Sequence, residues 1–233
     1  MGIQRISKRF QKGIDSVFTY TVSDIVENFI NYVVDSKYRK SVRLTSWLER
    51  QVKDARTHEG ALKLAQDLKG KTHDSTMSRI LRWSRNKKQF STGNIYYKTD
   101  TNSQWKMTEK WQTFDITLSY LEGDCEDGAI LMYVLARLNG VPANRLWLAA
   151  GAVKGGGHCW LCYMPDEYPL NLVFLDWCYW VNTSSINTRN KFKIIDQTIY
   201  EFKENGGQGE QIPSKYYNIW FVFNEDRSHK KFK

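Results

Sequence analysis

Three residues in the second half of the chain have side chains suited to nucleophilic catalysis, and they occur in the order Cys125, His158, Asp176. In such chemistry a thiolate attacks an acyl carbonyl, an imidazole accepts and returns the proton, and a carboxylate orients the imidazole. The three side chains must come from separate elements and meet within hydrogen-bond distance. The sequence therefore predicts that they converge in the folded chain.

Cys125 lies in the stretch GDCEDGAILM, residues 123–132, between acidic residues and an apolar run. With Asp124 as the N-cap, Cys125 is the first helical residue and Asp127 is the third, a pattern that resembles a capping box. The helix dipole favours a low pKa of the thiol, whereas the carboxylates of Asp124, Glu126 and Asp127 raise it by repulsion. Two roles remain open: an activated nucleophile, or an inert buried cysteine behind a helix cap.

His158 opens the apolar segment HCWLCYM after a run of glycines, and a strand there places it on the same face as Trp160. Asp176 interrupts the aromatic segment LVFLDWCYW, where a carboxylate needs a partner. Each residue has a plainer interpretation, as a histidine bonded to the backbone at the edge of the core and as an aspartate bonding its own turn. The alternative pairs Asp176 with an imidazole on the neighbouring strand.

The elements that must position these residues follow from the spacing of apolar residues. Helical spacing predicts helices within residues 22–68, a helix opening at Asp74-Ser75, and a helix from Cys125 that ends before Gly140. The segments RLWLAAGAV, HCWLCYM and LVFLDWCYW then predict three successive antiparallel strands, and YYNIWFVF predicts another. Helices followed by strands indicate an α+β fold.

The composition limits the class of protein. The 233 residues are 41% hydrophobic and 14% aromatic, which excludes a disordered chain. Without an apolar run long enough to cross a bilayer, and without a secretory signal, we expect a protein made without export, with no membrane span, in the cytoplasm or associated with a virion. The four cysteines, all between positions 125 and 178, are predicted to be free thiols.

The net charge of +9 comes from residues 1–90, since the remainder is close to neutral. This basic half predicts either an acidic partner, such as nucleic acid or an acidic protein surface, or simply a solvated helical face.

The motifs resemble those of the transglutaminase-like superfamily, in particular its bacterial and phage cysteine proteinases. WQTFDITLSYLEGDCEDGAILMYVLARLNGVP is similar to their nucleophile region, and GHCWLCY and FLDW are similar to their His and Asp strands. The resemblance implies a papain-like/transglutaminase-like core over residues 71–225, in which the nucleophile helix packs on an antiparallel sheet. This core would follow an N-terminal helical region, residues 1–70, and precede a basic tail, residues 226–233.

The resemblance also implies the roles of individual residues. Cys125 is the nucleophile, His158 the base and Asp176 the residue that orients the base. The backbone N–H of Cys125 belongs to the oxyanion hole, with Trp111 or Gln112 as the second donor.

A metal site is the less favoured interpretation of the acidic residues around Cys125. In some relatives the acidic cluster corresponding to Asp124, Glu126 and Asp127 binds calcium, but calcium takes six to eight oxygens and helix capping accounts for two of these carboxylates. We therefore expect no cofactor. Cys159 and Cys162, three apart on a strand, face opposite sides and do not form a zinc or redox pair. Cys178 is predicted to be a small core residue.

The predicted function is thiol-dependent acyl transfer on protein amide bonds. Hydrolysis of a protein or peptide substrate by a cysteine peptidase is favoured over cross-linking of protein glutamines, and both share the acyl-enzyme step. The alternative is a catalytically silent scaffold that docks through its basic helical half onto nucleic acid or a larger assembly such as a virion.

Overall fold

The structure of the protein is a computed structural model that describes residues 44–89, 91–102, 110–153, 155–166, 171–179, 191–193 and 216–226. The chain divides into two compact units, residues 1–42 and 43–233, and every described residue belongs to the second. Residues 22–43 of the predicted helical region and 227–233 of the predicted tail lie outside the described residues. The predicted domain limits, at residues 70 and 225, stay predictions.

Helices occupy most of the first part of the described unit. They are α1 (Leu44–Ala55), α2 (Glu59–Leu68), α3 (His73–Ser84), α4 (Phe114–Tyr120) and α5 (Cys125–Leu138), with short 3₁₀ turns at Asp100–Asn102 and Ala143–Arg145. Helix α3 begins slightly before its predicted start at Asp74-Ser75. Thr72 is the N-cap, and its side chain and that of Ser75 form a reciprocal capping box.

Helix α5, which begins at Cys125, is the central element. Residues 126–136 of this helix are all buried, as expected for a helix that is apolar around most of its circumference. It packs on the sheet through the strands Leu146–Val153 and Gly156–Tyr163, while α1 to α4 pack on its other sides. A rigid, fully covered helix therefore carries the cysteine.

The main sheet is antiparallel, in the order β6–β5–β4–β3–β7. Its strands are β3 (Leu146–Val153), β4 (Gly156–Tyr163), β5 (Asn171–Leu175), β6 (Lys191–Lys193) and β7 (Tyr216–Phe223), preceded in sequence by the two-residue parallel strands β1 (Tyr96–Tyr97) and β2 (Glu122–Gly123). The α+β class predicted from the sequence is confirmed.

The glycine run before His158 makes the β3–β4 hairpin. Val153 pairs with Gly156 across a two-residue turn, and Gly155 and Gly156 have φ angles of 116° and 143°. Side chains rarely adopt such angles, so glycine is required there. The turn sets the register in which His158 faces Gly151.

Among the described residues, no helix combines the length and the apolar character needed to cross a bilayer.

Candidate active site

The start of helix α5 is held by Asp127. Its carboxylate accepts the backbone N–H of the N-cap residue Asp124 at 3.2 Å, as a capping box requires. It also accepts the backbone N–H and the side-chain amide of Gln112, at 2.7 and 2.6 Å. Asp127 is fully buried, so its two oxygens serve to fix the loop before α4 against the first turn of α5.

The thiol of Cys125 lies against the edge of strand β4. The backbone N–H of Cys159 donates to Cys125 Sγ at 3.4 Å. Strand β5 pairs with β4 only along Leu161–Tyr163, so the N–H of Cys159 points out of the sheet edge beyond the end of β5. The N-terminus of α5 occupies that position and brings the sulfur next to the residue that follows His158.

His158 and Asp176 form a buried pair. His158 Nε2 lies 2.7 Å from Asp176 Oδ2, because Asp176 follows the end of β5 beside β4. The other carboxylate oxygen, Oδ1, accepts the backbone N–H groups of Cys178 and Tyr179, both at 3.1 Å. These two bonds orient the carboxylate, and the carboxylate in turn orients the imidazole.

Aromatic rings enclose the imidazole. Trp160 stacks on the His158 ring with centroids 5.8 Å apart, and Tyr179 contacts it at 5.1 Å. The indole Nε1 of Trp177 donates to the backbone carbonyl of Cys125 at 3.0 Å. Two residues that follow Asp176, Trp177 and Tyr179, therefore contact the two other members of the predicted set, Cys125 and His158.

The electrostatics of Cys125 differ from those of an exposed helix N-terminus. Burial raises the pKa of the thiol well above its usual range, and the nearby Cys178 and Asp124 raise it further. The thiol donates to Glu126 Oε2 at 3.1 Å, and this bond acts in the opposite direction. From the sequence, the helix dipole was expected to lower the pKa of the thiol and the carboxylates to raise it. In the structure, burial and negative charge together outweigh the dipole. Cys125 is therefore a neutral thiol at neutral pH.

The two residues considered for the oxyanion hole make other contacts in the structure. Trp111 is buried, stacked on Phe223 at 5.9 Å and edge-on to Trp47 at 6.1 Å. The amide of Gln112 is bonded to Asp127. Their role as oxyanion donors stays a prediction.

Two contacts of Cys125 were not predicted from the sequence: the hydrogen bond of its thiol to Glu126 and that of its carbonyl to Trp177. The position of Trp177 could have indicated its role, because it directly follows Asp176 and therefore lies in the same turn after β5. The contact between Glu126 and Cys125 Sγ depends on the rotamers of the two side chains. The spacing of residues in the sequence does not reveal such rotamers.

The chain was compared with protein families, curated proteins and solved structures. No family model matches the chain, and no curated protein matches it. Among solved structures, Legionella pneumophila LapG matches in an EGTA-treated form (19% identity, 76% of this chain and 81% of that chain, TM-score 0.44) and in a further form (19%, 76% and 83%, 0.43). Its calcium-bound form matches at 18% identity over 78% of this chain and 86% of that chain, with a TM-score of 0.45.

The expectation that no cofactor is involved is corrected by these neighbours, because one is calcium-bound and another is EGTA-treated. The physical reason lies in the acidic cluster. Ligand atoms of Asp124, Cys125 and Glu126 all lie within 4.8 Å of one another, and two carboxylates at that distance repel unless a cation or proton intervenes. Asp127, grouped with them in the sequence analysis, has both oxygens engaged by N–H donors.

Proposed function

We propose that the chain is a transglutaminase-like cysteine peptidase that cleaves a protein or peptide amide bond with Cys125, His158 and Asp176. The observation that carries the proposal is the 2.7 Å bond between His158 and Asp176, one residue away from an N–H that contacts the Cys125 sulfur at 3.4 Å. The sequence resemblance of the three motifs supports the same assignment.

The geometry of the imidazole defines the path of the proton. Because Nε2 of His158 is bonded to Asp176, Nδ1 is the nitrogen that accepts the proton of the Cys125 thiol. The sulfur then forms a bond to the substrate carbonyl carbon, and the carbonyl oxygen becomes an oxyanion. Nδ1 returns its proton to the leaving amine as the amide bond breaks.

The acyl-enzyme is resolved by water. His158 Nδ1 accepts a proton from the water as its oxygen attacks the thioester, and then gives the proton back to the departing sulfur. The product is a carboxylic acid and the thiol is regenerated. An amine in place of water would give an isopeptide, the cross-linking outcome.

The neutral thiol of the resting protein determines when the proton is transferred in this scheme. Since the pKa of Cys125 is raised, proton transfer to His158 accompanies attack and does not precede it. The carboxylates of Asp124 and Glu126 would hold a hard cation such as calcium, which takes oxygen ligands. Such a cation would supply positive charge beside the sulfur and thereby favour the thiolate.

The silent scaffold is the second candidate, and one observation favours it. A thiol whose pKa is raised by burial, and which donates to Glu126, is typical of an inert structural cysteine. Under this alternative the chain docks through its basic residues and Cys125 is dispensable.

One experiment separates the candidates. The full chain is incubated with a denatured protein and a labelled primary amine, with either calcium or EGTA present, beside a Cys125→Ala control. We expect new peptide termini, seen by mass spectrometry, only with the wild-type chain. Amine attached to glutamine would indicate cross-linking. If the wild-type chain and Cys125→Ala behave identically in both conditions, the enzyme proposal is wrong.

A further inference from the structure

Cys178 lies beside the His158–Asp176 pair, although its thiol has no part in the reaction described above. Ligand atoms of His158, Asp176 and Cys178 all lie within 4.8 Å of one another. Cys178 Sγ is 3.8 Å from Asp176 Oδ1, and His158 Nε2 is 2.7 Å from Asp176 Oδ2. Around a tetrahedral zinc ion, neighbouring N, O and S ligands are about 3.3 to 3.6 Å apart. Small shifts therefore convert the cluster into a metal-binding arrangement.

The surroundings of the cluster favour a cation. His158, Asp176 and Cys178 are only 7%, 2% and 8% exposed, so bulk solvent screens little of the attraction between this cluster and a cation. The carboxylate of Asp176 lies within the cluster, and its negative charge attracts a divalent metal ion.

We propose that His158, Asp176 and Cys178 form a binding site for a borderline-soft divalent metal ion of the zinc class. One neutral imidazole nitrogen, one carboxylate oxygen and one thiolate supply three ligands, and water supplies the fourth. The Cys178 thiol releases its proton to solvent on binding, so a dipositive ion and two anionic ligands leave the cluster neutral. No oxidation or reduction takes place.

The donor set separates this site from the carboxylates of Asp124 and Glu126. Thiolate and imidazole ligands select zinc-like ions, whereas carboxylates alone select calcium-like ions. The functional consequence rests on the proposed peptidase activity. A metal ion bound through Nε2 of His158 leaves the proton of the neutral imidazole on Nδ1, which can then no longer accept the proton of the thiol. Zinc therefore inhibits the enzyme, while calcium does not bind there.

Cobalt(II) is the probe, because it takes zinc sites and reports on its ligands by absorption. The full chain, stripped of metal with a chelator and desalted, is titrated with Co²⁺ and then with Zn²⁺. We expect a thiolate-to-cobalt charge-transfer band in the near ultraviolet that Zn²⁺ abolishes. Cys178→Ala should lose the band and bind Zn²⁺ about 100-fold more weakly. Cys162→Ala is the matched control, since Cys162 is also a buried thiol of the same unit, and it should keep the band.

Two further variants keep the result interpretable. Cys125→Ala should retain the band, because the nucleophile is not a ligand. If Cys178→Ala does not fold, as judged by near-ultraviolet circular dichroism, Asp176→Asn should weaken Zn²⁺ binding in its place. The proposal is overturned if the wild-type chain gives no band, or if the band survives Cys178→Ala and disappears in Cys125→Ala.

Activity is a separate readout. Inhibition by Zn²⁺ is compared with the metal-free rate of each variant, and Cys178→Ala should require about 100-fold more Zn²⁺ for half-inhibition. A cobalt band in a chain without peptidase activity would sustain the metal site and reject the proposed function. Activity that Zn²⁺ inhibits equally in both chains would do the reverse.

Discussion

The indole Nε1 of Trp177 donates to the backbone carbonyl of Cys125 at 3.0 Å, so the residue after the predicted acid is bonded to the residue that carries the thiol. The backbone carbonyl of Trp177 also accepts the N–H of Asn86 at 2.9 Å, which ties the same turn to the end of α3. The turn after β5 is thereby fixed to two helices, and the position of Asp176 follows from it.

Gly128 makes room for this indole. A Cβ at position 128 would lie 2.3 Å from Trp177 Cε2 and Nε1, so Gly128→Ala must displace the ring. We expect a loss of about 2 kcal/mol in the free energy of unfolding, as for an overpacked core, and a fall in kcat/KM. Urea denaturation and peptide hydrolysis measure the two effects.

Gly60→Ala is the control for this prediction. Gly60 lies in α2 and is exposed, and a Cβ there would meet no atom nearer than Cε1 of the His58 ring, at 3.3 Å. Alanine there should be neutral or stabilise the chain by up to about 1 kcal/mol through helix propensity. Equal stability losses in the two variants would refute the role given to Trp177.

Replacement of Asp176 should lower kcat far more than it changes KM. In Asp176→Asn the side-chain amide donates where the carboxylate accepted, and the imidazole loses the partner that holds its Nε2 proton. We expect kcat to fall at least about 100-fold with KM little changed. Steady-state kinetics give both parameters. Asp54→Asn, which alters an exposed aspartate of α1, should leave the rate as it is, and a similar drop there would point to a nonspecific effect.

The reactivity of Cys125 should depend on pH in a defined direction. Because the pKa of the thiol is raised above its usual range, the thiolate is scarce at neutral pH and becomes more abundant as pH rises. Alkylation by iodoacetamide, followed by mass spectrometry of the Cys125 peptide, should therefore accelerate steadily into the alkaline range. A rate already at its plateau in mildly acidic solution would contradict the raised pKa.

Asp124 supplies part of that shift. Asp124→Asn removes one negative charge, and asparagine is an equally good N-cap, so the pKa of the thiol should fall. We expect alkylation at neutral pH to speed up by about threefold. Asp67→Asn, at an exposed position of α2, should not alter the rate.

Replacement of Asp127 should lower the free energy of unfolding. Asp127→Ala leaves the N–H donors of Gln112 and Asp124 buried without their acceptor, and each lost partner costs about 1 to 3 kcal/mol. We expect at least about 3 kcal/mol less stability by urea denaturation. Asp115→Ala, in the first turn of α4 and only half-buried, should cost below about 1 kcal/mol. Similar costs for both would show that the Asp127 bonds contribute nothing specific.

Much of the fold is predictable because the apolar periods are unambiguous. The stripe after Cys125 gives α5, and the three apolar segments with their turns give β3, β4 and β5. Strands β2 and β6 escape prediction because two or three residues cannot display a period. Their positions depend on pairing partners, such as Tyr96 with Glu122, that lie far away in sequence.

The site is predictable in its residue types and less so in its energetics. The segments around His158 and Asp176 predict adjacent strands, and the structure places their side chains 2.7 Å apart. The pKa of Cys125 depends on how completely neighbouring elements cover the sulfur, and on the proximity of Cys178. Both quantities come from tertiary packing. The sequence alone therefore could not decide whether the helix dipole or the carboxylates have the larger effect on the pKa of Cys125.

The lock between Trp177 and the Cys125 carbonyl spans 52 positions of sequence. During synthesis the first turn of α5 leaves the ribosome well before that indole. Cys125 is therefore exposed to solvent before Asp176 has been synthesised. Long-range closures of this kind form late because chain entropy opposes them. Under the proposed function, a nascent chain therefore gains activity only after the β3–β4 hairpin, β5 and the turn that carries Trp177 have emerged.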